Sequence, residues 1–424
     1  MRKGAVILLI AALALAGGFC LRLKGQEEPA SAPEIVPEWV ENLNTDIVND
    51  LSFLPRMDAV VDSFMNFWSL QGVSLAITRN DSLLYARGYG RADATTPMTP
   101  GTTLRLASVS KLLTAIGIMR LQEEGKLNLE SPVFGPFGIL NKYDSCIRDD
   151  NYYLITVGQL LRHQAGFTQR GGDVMFSTLR FMRNNGLSEP PSADFLVRKE
   201  LGRRLAFEPG TTQEYSNFGY LLLSLVIEEA SGMSYNDYMQ THVFEPALCH
   251  GFRLGGNYLK DRLPGESRYY TQADDSPVPS FDGKYAAVDR PYGGNYISGL
   301  YGAGGWTGSA VELARVVSSV NGRGTVPDIL DPFSVRQMTV YYDDDTFGVG
   351  WLDCRPDGEW TRTGSFAGTS ALVKTFPDGE CWVFITNTST WRGSRFSRNT
   401  GALVKNLRSR FSDQLPVRDL FRSN

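Results

Sequence analysis

From Ser108 to Glu124 the chain reads as a helix. Its apolar residues Leu112, Leu113, Ala115, Ile116, Ile118, Met119 and Leu121 crowd most of its circumference before Gly125 ends it. A helix apolar on most sides must be enclosed by other elements. Upstream, Val60, Val61, Phe64, Phe67 and Trp68 recur at helical spacing between Met57 and Leu70. The runs 72–79 and 83–89, split by Asn80-Asp81-Ser82, then predict a β-hairpin. Downstream, strands are expected at 348–352, 370–376 and 382–387, with Pro377-Asp378-Gly379 as a hairpin turn and a helix from Arg398 to Phe411. Between these ends lie helical patterns at 156–163, 217–230 (closed by Gly232) and 310–321. The stretch 250–305, rich in Gly, Tyr, Pro and Asp, has no period and reads as long ordered loops. Strands at both ends with helices between predict an α+β fold: one antiparallel sheet built from both termini, flanked by helices, with a helical lobe inserted.

Composition narrows the function classes. The 424 residues are 42% apolar and 21% charged, which excludes a disordered chain. Only one apolar run approaches membrane-spanning length, so a polytopic membrane protein is excluded. With 42 Lys plus Arg against 46 Asp plus Glu, no basic surplus points to nucleic acid.

Met1-Arg2-Lys3 followed by an apolar run from Ala5 to Phe19 is the pattern of a secretory signal peptide over residues 1–24, with a retained N-terminal anchor as the alternative. Cys20 falls where a bacterial lipoprotein is acylated, but Phe19 stands where such sites want a small residue. An exported, periplasmic or cell-surface protein is expected, and residues 25–55, with Pro29, Pro33 and Pro37, read as a linker. Cys146, Cys249, Cys354 and Cys381 form no C-x-x-C pair. Cys354 and Cys381 flank expected neighbouring strands and are the candidate disulfide, against the alternative of four free core thiols.

Three constellations carry chemistry. In Ser108-Val109-Ser110-Lys111 the first and last residues share a helical face, so the hydroxyl and the amine can meet. A hydroxyl needs an adjacent base to become a nucleophile, and a lysine serves once burial or a neighbouring cation lowers its pKa. Glu214-Tyr215-Ser216-Asn217 precedes an apolar helix with Ser216 as N-cap, which leaves Tyr215 just outside and Asn217 in the first turn. A phenol near an ammonium gives up its proton more readily and can exchange it with a leaving group. In Arg362-Thr363-Gly364-Ser365, Gly364 lets a backbone approach closely, and an adjacent strand N–H could join the Ser108 N–H as an oxyanion hole.

In order and content these motifs resemble the serine β-lactamase and penicillin-binding-protein-like hydrolases, in the branch of class C β-lactamases, D-Ala-D-Ala carboxypeptidases and esterases. The resemblance runs from about residue 57 to 411. It includes Gly72-Val73-Ser74-Leu75-Ala76, Leu160-Leu161-Arg162-His163-Gln164-Ala165-Gly166, Glu208-Pro209-Gly210, Gly304-Gly305-Trp306-Thr307 and Gly348-Val349-Gly350-Trp351. It implies a β-lactamase/transpeptidase-like domain over 56–412, with a sheet lobe (56–105 and 340–412), a helical lobe (106–339) and a C-terminal tail (413–424). Ser108 would be the acylated nucleophile, Lys111 its proton acceptor, and Tyr215 the completing base that protonates the leaving group. Asn217 would hold Lys111 and the substrate, Ser365 N–H would complete the oxyanion hole, and Thr363 and Gly364 would line the substrate site. Arg362 departs from the family's usual Lys or His: it can fork onto a substrate carboxylate but cannot shuttle protons. His163 matches a buttressing His.

The expected activity is hydrolysis of an amide, ester or β-lactam carbonyl through a Ser108 acyl-enzyme. The alternatives are a non-catalytic module that binds cell-wall peptides, and an acyltransferase sharing the acylation step. The expected partner is a small-molecule or peptide substrate, with no nucleic acid and with membrane attachment only through the N-terminus. The three His residues show no ligand spacing, so neither a metal nor a cofactor is expected. Gly302-Ala303-Gly304-Gly305-Trp306-Thr307-Gly308 has the wrong spacing for a dinucleotide loop and reads as a tight turn near the site. Tyr269, Tyr270, Tyr285, Tyr292 and Tyr296 could line a cleft or pack the loops.

Overall fold

The computed structural model describes residues 54–422, apart from 273–275, 325, 327 and 342–346. The proposed signal or anchor segment and nearly all of the 25–55 linker lie outside the described residues. The described residues form eleven strands: β1 Gly72–Arg79, β2 Ser82–Gly90, β3 Leu104–Arg105, β4 Arg253–Leu254, β5 Val278–Pro279, β6 Ala287–Val288, β7 Trp306–Gly308, β8 Asp353–Cys354, β9 Trp360–Phe366, β10 Thr369–Thr375 and β11 Glu380–Thr386. Six build one antiparallel sheet in the order β2-β1-β11-β10-β9-β8, so both ends of the domain supply it. A small second sheet joins β3, β7 and β4.

Among the described residues the α-helices are α1 Pro55–Trp68, α2 Ser110–Glu123, α3 Val157–Leu161, α4 Thr178–Asn185, α5 Ala193–Glu200, α6 Asn217–Ser231, α7 Tyr235–Met239, α8 Ala310–Ser318, α9 Pro332–Thr339 and α10 Ser397–Phe411. Pleating sends alternate strand residues to opposite faces. Leu75, Ile77, Leu372 and Phe384 pack on Val61 and Trp68 of α1 and Leu403 and Leu407 of α10. Ala76, Ala371, Val373 and Ile385 face the helical side, where α8 packs on β1 and β11. With both faces covered, the strands are buried almost throughout.

Helix α2 is central, and every residue from Ser110 to Met119 is buried. Local signals set the other ends. Thr156 and Gln159 form a capping box at α3, the Ser216 hydroxyl accepts from Gly219 N at the start of α6, and Gly232 closes α6 in the left-handed conformation. The C-terminal segment is packed rather than free: Leu83 N–H donates to Asp419 Oδ1, Leu420 N–H donates to Leu83 O, and Leu415 and Phe421 are buried. This covers the outer edge of β2. No described helix is long and apolar enough to cross a membrane.

Three expectations need correction. Residues 348–352 form a turn, and only Asp353–Cys354 is strand. Gly350 sits at φ +80° against α2, where a Cβ would stand 2.6 Å from Ala115 Cβ. Cys354 and Cys381 are free thiols: β8 and β11 are separated by β10 and β9, about three strand spacings and far beyond disulfide reach. Cys146 and Cys249 are free as well. Helices α4, α5, α7 and α9 lie where no helix is expected from the sequence pattern. Tyr269 and Tyr292, in turn, are buried packing residues, Tyr269 N–H donating to Tyr292 Oη at 2.7 Å.

Gly350→Ala would force a side chain into strained backbone and onto α2. The expected outcome is a loss of about 2–3 kcal/mol, read as an earlier urea midpoint; an unchanged midpoint would contradict this packing.

Candidate active site

Ser108 sits in the single 3₁₀ turn Ala107–Val109 that joins β3 to α2. Two constraints fix that turn. Leu106 N–H donates to Trp306 O at 2.9 Å, tying it to β7, and Ala107 adopts φ +48°, a strained conformation for a residue with a side chain. On its other side stands β9. A Cβ on Gly364 would lie 2.3 Å from Leu106 O and 2.8 Å from Ser108 N, so only glycine lets the strand come this close. The close approach expected of Gly364 is therefore to the Ser108 turn itself.

Lys111, one helical turn on, is fully buried, and its Nζ donates to Ser108 Oγ at 3.3 Å. It also donates to Asn217 Oδ1 at 2.6 Å and to the Ala303 carbonyl. That carbonyl comes from the Gly302–Gly308 stretch, whose second half is β7, so the β3–β7 ladder positions the Ser108 turn and the lysine's acceptor together. Among the described residues no carboxylate pairs directly with Lys111. Burial, opposed by Tyr215 and reinforced by Arg362, brings its pKa down to about 8.

Tyr215 precedes the Ser216 cap, and its phenol is within hydrogen-bonding reach of Lys111 and Ser108. Burial pushes the phenol up, but Lys111 and Arg362 outweigh it and the net direction is down. The His163 ring packs on the Tyr215 ring at 4.5 Å, and His163 Nδ1 accepts from Ser216 N at 3.1 Å. Burial, then Arg362 and Lys111, hold this imidazole neutral. It buttresses the phenol from behind.

Arg362 departs from expectation. It is 1% exposed, its Nε donates to Ser108 O at 2.8 Å, and its Nη2 donates to Tyr215 Oη at 3.3 Å. The guanidinium is thus enclosed behind the site, unable to fork onto a substrate carboxylate without leaving these partners. Thr363 and Ser365 are half-buried and alternate to the opposite face of β9. Strand β8 pairs only with Thr361 and Trp360, so the outer edge of β9 from Arg362 to Phe366 has no strand partner among the described residues.

One residue has no counterpart in the sequence reading. Asp173 Oδ2 accepts from Asn217 Nδ2 and from Gln169 Nε2, and its Oδ1 accepts from Met175 N. This fixes the Asn217 amide with its oxygen toward Lys111. Gly171-Gly172-Asp173 hints at a turn, but nothing local points to Asn217. Among the described residues no group of three His, Cys, Asp or Glu side chains suits a metal ion.

The arrangement can move a proton from a hydroxyl to a desolvated amine beside a phenol held by two cations. A cavity of about 130 Å³ is lined by Asp173, Ser216 and Asn217 beside it, and one of about 510 Å³ is lined by Ser365, Ser370 and Thr390.

The sequence profile of the Beta-lactamase family matches residues 57–406. Esterase EstB of Burkholderia gladioli is 28% identical over 313 residues, 71% of this chain and 78% of the esterase. Penicillin-binding protein 4* of Bacillus subtilis (strain 168) is 33% identical over 187 residues, 43% of this chain but only 38% of its own length. The fold is similar to that of the D-amino acid amidase from Ochrobactrum anthropi SV3 solved with L-phenylalanine, with a TM-score of 0.66 at 20% identity, covering 85% of this chain and 99% of that one.

Because Arg362 holds the Lys111 pKa down, Arg362→Gln should raise it. An NMR titration of ¹³Cε-labelled lysine should show one resonance with its midpoint near pH 8 moving upward in the variant. An unmoved midpoint would mean that burial alone sets it.

Proposed function

This chain belongs to the Beta-lactamase family, and from that premise we propose that it is a serine hydrolase that opens ester or amide carbonyls through an acyl-enzyme on Ser108. The observation that carries the reading is the contact of Lys111 Nζ with Ser108 Oγ at 3.3 Å inside a site that lowers the lysine's pKa to about 8.

Neutral Lys111, about a tenth of the population at pH 7, takes the Ser108 proton as Oγ bonds to the substrate carbonyl carbon. The oxygen of that carbonyl becomes an anion between the N–H groups of Ser108 and Ser365, at the positive end of α2. Tyr215 then protonates the leaving oxygen or nitrogen as its bond to the carbonyl carbon breaks, and is reprotonated from Lys111. Water attacks the acyl-enzyme by the same route in reverse and releases the acid. Asn217, held by Asp173, keeps the amine aimed. Arg362 acts as a fixed charge that favours phenolate over phenol, and Gly364 lets β9 stand close beside the scissile bond.

The unpaired edge of β9 supports an extended amide or ester substrate, since its backbone groups can pair with one. The esterase and amidase among the similar proteins support the same two carbonyl classes. The basic and apolar start of the chain supports action outside the cytoplasm.

A fluorophosphonate probe should label the protein and spare Ser108→Ala; equal labelling of both removes the assignment. Tyr215→Phe should cut turnover of a p-nitrophenyl ester by about 10²–10⁴, and a loss below about tenfold would mean that Lys111 works alone. The ammonium form cannot accept a proton, so kcat/KM should rise with pH as Lys111 deprotonates near 8. A flat profile from pH 6 to pH 9 would exclude Lys111 as the base.

A further inference from the structure

The β9–β10 hairpin has a face that the acyl-transfer chemistry does not use. Arg362 and Gly364 turn toward the Ser108 turn, whereas Ser365 and its register partner Ser370 turn the other way. They line the cavity of about 510 Å³, together with Gln272, Ser389, Thr390 and Trp391. Two groups at its wall are unsatisfied: Ser370 Oγ and Thr390 Oγ1 have no hydrogen-bond partner in the protein, on residues only 3% and 7% exposed. Among the described residues no Asp or Glu lines the cavity, and its single cation, Arg290, is exposed.

A buried hydroxyl without a partner is costly, so an occupant that settles there must supply groups that accept and donate. An alkyl chain supplies neither. A carboxylate only accepts and fills a small part of the space. A hexose-sized ring bearing hydroxyl or acetamido groups does both, and its C–H face suits an indole such as Trp391, which stays 69% exposed at the rim.

We propose that this cavity is a carbohydrate subsite, and that the ester or amide opened at Ser108 is one carried on a neutral sugar. Ser365 joins the two sites, its side chain lining the cavity and its N–H facing the carbonyl. The substrate assignment rests on the acyl-enzyme reading; the binding of sugar does not.

The test therefore begins on Ser108→Ala, titrated separately with N-acetylglucosamine, methyl β-glucoside and succinate by tryptophan fluorescence and saturation-transfer NMR. The expected result is saturable, millimolar binding of at least one sugar, weakened about tenfold or more in Trp391→Ala and in Ser370→Ala/Thr390→Val. Either single hydroxyl variant replaces the double one if that fails to fold by circular dichroism. In the wild type, a sugar-borne acetyl ester should exceed p-nitrophenyl acetate in kcat/KM by about tenfold, with that preference lost in the hydroxyl variants. No saturable sugar binding up to about 100 mM, or tighter binding of succinate than of both sugars, overturns the proposal. Intact sugar binding with no probe labelling at Ser108 would instead overturn the acyl-enzyme reading and leave the subsite standing.

Discussion

A lysine amine with no water around it is the constraint on which the rest of this molecule turns. Lys111 lies wholly inside the protein, so its three hydrogens must find acceptors: Ser108 Oγ one helical turn away, and Asn217 Oδ1 and the Ala303 carbonyl from remote stretches. Each acceptor is itself held. The Ser108 turn is clamped between β7 and β9, the Asn217 amide is oriented by Asp173, and Ala303 precedes the strand that pairs with β3. None of the three is a charged carboxylate, so the lysine is satisfied without being locked in its protonated form.

The same logic governs the charges nearby. A second cation, Arg362, is buried within reach of the phenol and bound to the backbone of the nucleophile's own residue. Two cations near one phenol lower both the phenol and the amine, because each resists another proton in the cluster. An ordinary lysine in place of Arg362 would share protons with its neighbours; a guanidinium holds its charge at every working pH. His163, neutral and stacked against Tyr215, adds shape without adding charge.

Much of this was legible from the chain. The one-turn spacing of Ser108 and Lys111 in a helix apolar on most sides, and the Ser216 cap that sets Tyr215 against Asn217, are local patterns with local causes. What stayed hidden depends on distant contacts. Asp173 and Ala303 act from loops, one of them through a backbone carbonyl that any residue could provide. The burial of Arg362 follows from which way β9 faces, which residue type does not reveal. The disulfide expected at Cys354 and Cys381 failed because strand neighbours in sequence need not be neighbours in the sheet. The apolar residues of the Gly348–Leu352 run suggest a strand, whereas Gly350 bends it against α2.

The sheet's outer order carries a last consequence. Strand β1, near the start of the domain, pairs with β11, and the Thr386 hydroxyl donates to Gly72 O across 314 residues of chain. Contacts so far apart cannot form before the chain through β11 has been made, and closing such a loop is entropically slow. Strand β9, which completes the nucleophile's cradle, arrives equally late. A nascent chain therefore has no assembled chemistry until β9 has emerged, and loss of β9 to β11 would leave Ser108 and Lys111 adjacent yet unframed.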